Sequence, residues 1–286
     1  MKILDGKLLS LELKEEISLR AKKLKREGIT PALKVVLIGD HSASEIYVKH
    51  KKVFCEDVGI ECQILRFSEN VTEEELATKI IESNKDKKIH GIIVQLPIPN
   101  HISKSRVISL IAPEKDVDGF TASNLGHTFL RKEDALLPAT PAGVIKLLDK
   151  YFLSVKGKSC VIIGHSRIVG KPLSMLLLSR DATISVCNVF TPDISRYTGE
   201  ADFIFTAVGK VNLIKADMVK EGFVGVDIGI SRNEDGKVCG DFDFENIKEK
   251  ASYITPVPGG VGPMTVATLC ENVVKAAESS KKYRPD

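Results

Sequence analysis

The sequence predicts an α/β protein: two α/β domains with mostly parallel sheets, the second a Rossmann-like dinucleotide-binding domain. Three observations carry this. Short apolar runs rich in β-branched residues alternate with amphipathic stretches of helical period, the order of parallel strands joined by helices. One such run, Ser159–Ile163, enters a loop bounded by Gly164 and Gly170, and Pro172 then stands where a helix can begin. A strand, a glycine turn and a helix N-terminus together cradle a pyrophosphate, because backbone N–H groups and the helix dipole favour anions. Finally, 286 residues suffice for two domains.

The elements follow in order. Residues 7–27 form a Lys/Glu-rich helix with a stripe through Leu9, Leu13, Ile17 and Leu24, ended by Gly28. Leu33–Gly39 is a strand. Ser42 and Glu45 have capping-box spacing for a helix to Val58 and Gly59. Ile60–Phe67 is the second strand, and Thr72 with Glu75 caps a helix to Asn84. Ile89–Leu96 is the third strand, stopped by Pro97-Ile-Pro99, and Lys104–Ile111 is helical. An acidic connection, Ala112–Gly119, follows, and Thr140-Pro141 opens a helix through Tyr151. The second half repeats the logic with strands 159–163, 182–187, 201–208, 223–228 and 252–255, and a short helix near 215–219. The chain closes with the glycine-dense loop 256–263, a helix from Thr265 to Ser279, and a tail, 281–286, expected to fray.

Composition narrows the function classes. Hydrophobic content of 43% and charged content of 28% fit a globular protein. No apolar run reaches the ~18 residues of a membrane span, and the N-terminus lacks the apolar core of a signal peptide. A net charge of +3 is too small and dispersed for nucleic acid. The six cysteines form no CxxC pair and no metal-like cluster, so they read as reduced core thiols of a cytoplasmic protein that needs no metal.

Helix 42–58 carries the first candidate chemistry. At about 100° per residue, Ala43, Ile46, Tyr47, Val53, Phe54 and Val58 share a face, with Lys51 at its edge one turn after Tyr47. Partial burial disfavours an ammonium and suits a lysine to proton transfer. Tyr47 offers a flat face to a ring-shaped substrate. Gln95 stands at the carboxyl end of the third strand, the edge where open α/β sheets bind ligands, and Asp116 and Asp118 lie in the connection leaving that layer. Pro258-Gly-Gly-Val-Gly-Pro263 is a loop that lets backbone approach a ligand closely. Taken singly, each has a plainer reading: a snorkelling lysine, a core tyrosine, turn-forming aspartates, a tight connection.

Five motifs in this order resemble those of the bifunctional methylenetetrahydrofolate dehydrogenase/cyclohydrolase family: Tyr47-Val-Lys-His-Lys51, Val94-Gln-Leu-Pro97, Pro113-Glu-Lys-Asp-Val-Asp-Gly119, Gly164-His-Ser-Arg-Ile-Val-Gly170 and Pro256-Val-Pro-Gly-Gly-Val-Gly-Pro-Met-Thr265. The resemblance implies a folate-binding catalytic domain, 1–139 plus 265–286, an NAD(P)-binding domain, 140–264, and an active-site cleft between them. It implies oxidation of 5,10-methylenetetrahydrofolate with NADP, then hydrolysis of the methenyl product to 10-formyltetrahydrofolate. By the same resemblance Lys51 is the key catalytic group, Gln95 bonds it, Tyr47 stacks on the folate, and Asp118, Pro258 and Gly259 bind substrate. The cofactor falls to Gly164, His165, Ser166, Arg167, Gly170 and Ile230, and the protein is expected to be a homodimer through the second domain.

One departure stands out. NADP-using members often carry arginine at position 165 or two residues past the second strand of the dinucleotide domain; here these are His165 and Val189. No acidic residue follows Cys187 to hold a ribose hydroxyl as NAD enzymes often do. By family prevalence NADP is still the cofactor the resemblance implies, with NAD as the alternative. The competing functions are a monofunctional NAD-dependent dehydrogenase of the same family and a non-catalytic dinucleotide or folate sensor.

Overall fold

The computed structural model describes residues 1–132 and 134–281. The side chain of Ala43 and the tail from 282, expected to fray, lie outside what is described. In chain order the elements are β1 (Lys2–Ile3), α1 (Gly6–Arg26), β2 (Ala32–Ile38), α2 (Ser42–Val58), β3 (Glu61–Phe67), α3 (Glu73–Lys85), β4 (Gly91–Val94), α4 (Lys104–Ser109), α5 (Ala122–Phe129) and α6 (Ala139–Lys150). There follow β5 (Ser159–Ile163), α7 (Gly170–Leu178), β6 (Thr183–Cys187), α8 (Ser195–Thr198), β7 (Phe203–Thr206), β8 (Phe223–Asp227), β9 (Ser231–Arg232), β10 (Val238–Cys239), α9 (Phe244–Ile247), β11 (Ala251–Ile254) and α10 (Val261–Ser280).

The chain divides into two compact units, one of residues 12–139 with 266 onward, the other of residues 1–11 with 140–265. In the first, a parallel sheet runs in the order β3-β2-β4. Its central strand shows why the run reads as apolar throughout. Leu33, Val35 and Leu37 pack on one face with residues of α1, α2 and α10, while Ala32, Val36 and Ile38 pack on the other with residues of α3 and α4. Helix α3 starts at the expected capping box: Thr72 Oγ1 accepts the Glu75 N–H at 3.2 Å and Glu75 reaches back to the Thr72 N–H.

The capping box expected at Ser42 and Glu45 does not form. His41 is the N-cap of α2, and the Glu45 carboxylate instead meets both terminal nitrogens of Arg66 on β3. A charge-assisted bidentate pair outcompetes a single neutral cap bond. The structure also adds α5, capped by Thr121, whose hydroxyl accepts the Asn124 N–H at 3.3 Å. The last helix starts at Val261 rather than Thr265, with Pro263 in its first turn, where proline costs no backbone bond.

In the second unit a six-stranded sheet runs β1-β11-β8-β7-β5-β6, every neighbouring pair parallel. A two-residue antiparallel pair, β9–β10, lies outside it. Residues 1–11, expected with the first domain, group here instead. Lys2 and Ile3 pair with Tyr253 and Ile254, and the Leu4 N–H reaches the Ile254 carbonyl at 2.9 Å. Two residues carry too little pattern for the sequence to announce such a long-range strand.

Candidate active site

The first unit brings Lys51, Gln95 and Asp118 within reach of one another. Helix α2 turns Ser44, Val48, Cys55 and Val58 inward, all buried, with the half-buried Lys51 in the middle of that stripe. This corrects the expected face: Ile46, Tyr47 and Val53 are 40–48% exposed. The stem of Lys51 covers apolar surface and carries its Nζ to the sheet edge. There Nζ donates to Gln95 Oε1 at 3.0 Å. Gln95 extends the pairing of β4, its N–H donating to the Val36 carbonyl at 2.9 Å. Its Nε2 donates to the Leu96 carbonyl at 2.7 Å, which turns Oε1 toward the lysine. The Leu96–Pro97 bond is cis. Tyr47, one turn before Lys51, has an accessible ring.

The two aspartates of the acidic connection divide the work. Asp116 is buried and makes the turn: Oδ1 accepts the N–H groups of Gly119 and Phe120 at 3.0 and 3.1 Å, and Oδ2 accepts Thr121 N–H at 2.7 Å and Asn124 Nδ2 at 2.9 Å. Asn272 Nδ2 clamps the same connection through the Val117 and Leu137 carbonyls at 2.8 and 2.9 Å. Asp118, half-buried between these anchors, has its carboxyl pushed up to about 6, chiefly by loss of hydration. The positive charge of Lys51 pulls it down and Asp116 pushes it up.

Sequence reasoning passed over Ser44. Its hydroxyl is buried on the Lys51 stripe and has no hydrogen-bond partner among the described residues. The signal was its spacing of seven from Lys51, two helical turns on the same face.

The cofactor candidates lie in the second unit. Gly164 has φ +108°, and a Cβ there would come within 2.6 Å of the Ala207 carbonyl oxygen. A Cβ on Gly170 would fall 1.9 Å from the Gly164 carbonyl oxygen, so the loop closes on itself only with glycine at both ends. Between them Ser166 Oγ accepts the Val169 N–H at 3.1 Å, and the Lys171 N–H binds the Ser166 carbonyl at 3.0 Å. His165, Ser166 and Arg167 are exposed at the start of α7. This is a cradle of the shape and polarity that a dinucleotide pyrophosphate needs. Ile230, three residues past β8, is 44% exposed. A Cβ on Gly262 would lie 3.9 Å from its Cδ1. Pro258 follows a cis bond and Gly259 has φ +109°, its carbonyl accepting the Lys7 N–H at 2.8 Å.

Comparison with known proteins bears on all of this. The family model for the catalytic domain of tetrahydrofolate dehydrogenase/cyclohydrolase matches residues 4–118, and that for its NAD(P)-binding domain matches residues 138–281. The chain belongs to the tetrahydrofolate dehydrogenase/cyclohydrolase family. It is 50% identical over 279 residues to the bifunctional protein FolD of Campylobacter jejuni, covering 98% of this chain and 99% of that one. The crystal structure of the bifunctional FolD enzyme from Campylobacter jejuni superposes with a TM-score of 0.96 at 50% identity, covering 98% and 99% of the two chains. The methylenetetrahydrofolate dehydrogenase-cyclohydrolase of Trypanosoma brucei, solved with NADP cofactor and inhibitor, superposes with a TM-score of 0.93 at 32% identity, covering 97% of each. No helix among the described residues is long and apolar enough to cross a membrane, and no group of three or more metal-ligating side chains is present among them.

Proposed function

We propose that this protein oxidises 5,10-methylenetetrahydrofolate with NADP to the 5,10-methenyl form and hydrolyses that to 10-formyltetrahydrofolate, with Lys51 as the catalytic group. The observation that carries the site assignment is the Lys51 Nζ–Gln95 Oε1 bond beside Asp118. Family membership carries the reaction.

The unit of residues 12–139 and 266 onward binds the folate. Tyr47 stacks on the folate's aromatic ring, and the Asp118 carboxylate accepts hydrogen bonds from the ring N–H and amino groups of the pterin. NADP, when bound, accepts the hydride, a step that asks the protein mainly for positioning. Hydrolysis asks for more. Water adding to the cationic amidine-like carbon must lose a proton, and the C–N bond that then breaks needs one at nitrogen. Lys51, aimed by Gln95, moves that proton.

The Gly164–Gly170 loop receives the pyrophosphate, with Ile230 at the same edge. Arg167 is the cationic group for the 2′-phosphate, with Arg196 and the exposed His165 as the alternatives. The protein is a homodimer through its dinucleotide-binding unit. β6 is a terminal strand of the six-stranded sheet, with Val186, Val189 and Phe190 exposed on and just beyond it. A monomer by light scattering at micromolar concentration would remove that part. Six free thiols, of which Cys55 and Cys270 share a hydrogen bond at 3.6 Å and no disulfide, suit a reducing cytoplasm.

The test is turnover of 5,10-methylenetetrahydrofolate with NADP and NAD in parallel, following reduced cofactor and methenyl product. NADP preference with little methenyl accumulation is expected. NAD preference with methenyl building up would mean a monofunctional dehydrogenase, and binding without turnover a sensor.

Asp118 gives a separate prediction. Its folded value near 6 lies above the ordinary ~3.9, so the native state holds the proton more tightly than the unfolded chain does. The associated stability is full below pH ~4 and is lost as pH rises to ~6. Asp118→Asn removes that penalty. It is expected to raise the KM for folate at least about tenfold while gaining about 1–3 kcal/mol of stability at pH 8. An unchanged KM would dismiss Asp118 as a substrate ligand.

A further inference from the structure

Four polar side chains are buried at the C-terminal ends of β7, β8 and β11: Thr206, Asp227, Asp241 and Thr255, none more than 4% exposed. Asp227 ends β8 in register with Thr206 of β7. Its Oδ1 accepts the Thr206 hydroxyl at 3.1 Å and its Oδ2 accepts the Phe242 N–H at 2.9 Å. Its own N–H donates to Thr255 Oγ1 at 2.7 Å. Asp241 accepts the N–H groups of Val208 and Lys210, each at 2.8 Å. Two carboxyls thus lace the loops after β7 and β8 to the segment returning from the β9–β10 pair. The fit leaves no room for a side chain. A Cβ on Gly229 would lie 2.2 Å from Asp241 Oδ1, and one on Gly240 would lie 2.0 Å from Asp227 Oδ2. The laced loops border the dinucleotide cradle: Gly164 packs against Ala207, and Ile230 is three residues past Asp227.

We propose that Asp227 and Asp241 are positioning residues for the dinucleotide, holding loops 207–210 and 228–230 in the receptive conformation while the pair carries a single negative charge. This rests on reading the unit as the NADP-binding one. Asp227 takes the proton: Oδ1–H then donates to Thr206 Oγ1 while Oδ2 keeps the Phe242 N–H. The charged group facing Asp227 is Asp241; β7 and β11 present the Thr206 and Thr255 hydroxyls, and the returning segment presents the Asp241 and Phe242 amides. Burial pushes the Asp227 carboxyl up to about 7, and the Asp241 charge adds to the push. Removing the proton sets two like charges side by side out of water, and the loops part to readmit it. The anionic dinucleotide offers no relief.

The experiment measures kcat and the KM for NADP from pH 6 to 9, Kd for NADPH by fluorescence, and hydrogen exchange at the Val208, Lys210 and Phe242 amides. In the wild type, the KM for NADP is expected to rise about tenfold between pH 6 and 8, with kcat changing less. D227N is a neutral isostere that still donates to Thr206 and accepts from Phe242, so it flattens the KM profile. D241N turns an amide donor against the Val208 or Lys210 N–H. It raises the KM for NADP about tenfold at every pH and speeds exchange at both amides. The proposal falls if D227N keeps the wild-type profile, or if D241N alters neither KM nor exchange. A wild type that binds no NADPH overturns both the proposal and the NADP-binding reading.

Discussion

Lys51→Met is expected to slow hydrolysis of 5,10-methenyltetrahydrofolate by about 10²–10⁴-fold, the usual worth of a positioned proton-transfer group. The methionine keeps an apolar stem in the buried stripe of Ser44, Val48, Cys55 and Val58, so the helix keeps its packing. What disappears is the Nζ donor 3.0 Å from Gln95 Oε1. NADPH affinity is expected to stay within about twofold, because the Gly164–Gly170 loop belongs to the other unit. A second readout follows from electrostatics. Lys51 pulls the Asp118 carboxyl downward, so its loss lets that carboxyl rise above about 6. The acidic limb of folate binding therefore moves to higher pH in the mutant. Lys51→Arg keeps the charge, yet a guanidinium does not give up its proton, so it is expected to restore the limb and not the hydrolysis. Normal hydrolysis by Lys51→Met would end the assignment.

Gly170→Ala carries the second large effect. The added methyl would stand 1.9 Å from the Gly164 carbonyl oxygen, a contact that only a shift of backbone relieves. The expected cost is about 1–3 kcal/mol of stability and a loss of NADPH affinity of about 10–100-fold, since the loop that moves is the one proposed to receive the pyrophosphate. Gly126→Ala is the matched control. Gly126 lies exposed within α5 with nothing within 4 Å of an added Cβ, so alanine there is expected to be neutral or to gain up to about 1 kcal/mol. Urea midpoints and NADPH titrations on the two variants decide the matter. Equal cofactor affinity in both would mean that the loop does not carry the phosphates.

Local signals made much of the fold legible. The continuous apolar run of β2, the bounds of β5 and the Thr72–Glu75 capping box depend on residues within a few positions of one another. The positive φ of Gly59 and Gly164 belongs to the same class, because only glycine takes such a backbone without strain. Residue type and spacing marked Tyr47, Lys51, Gln95 and the aspartates 116 and 118 as candidates, and the family resemblance chose Asp118 between the last two.

The tertiary structure decided what such signals cannot reach. Which face of α2 turns inward was hidden, because Ser44 and Lys51 lie on the buried stripe while Ile46 and Val53 lie outside. Glu45 could have capped its helix, but the distant Arg66 offers a stronger partner. The division of labour between Asp116 and Asp118 depends on four donors converging on the first and desolvation acting on the second. Asp227 and Asp241, fourteen positions apart, read as unremarked acidic residues until two strand ends bury them together. Periodicity, caps and glycine conformations are short-range properties, so the sequence by itself determined the alternating α/β order and the glycine-bounded loop 164–170. Burial of charge and pairing across the sheet are long-range, so only the folded chain decided which of those residues lose water and which partners they find.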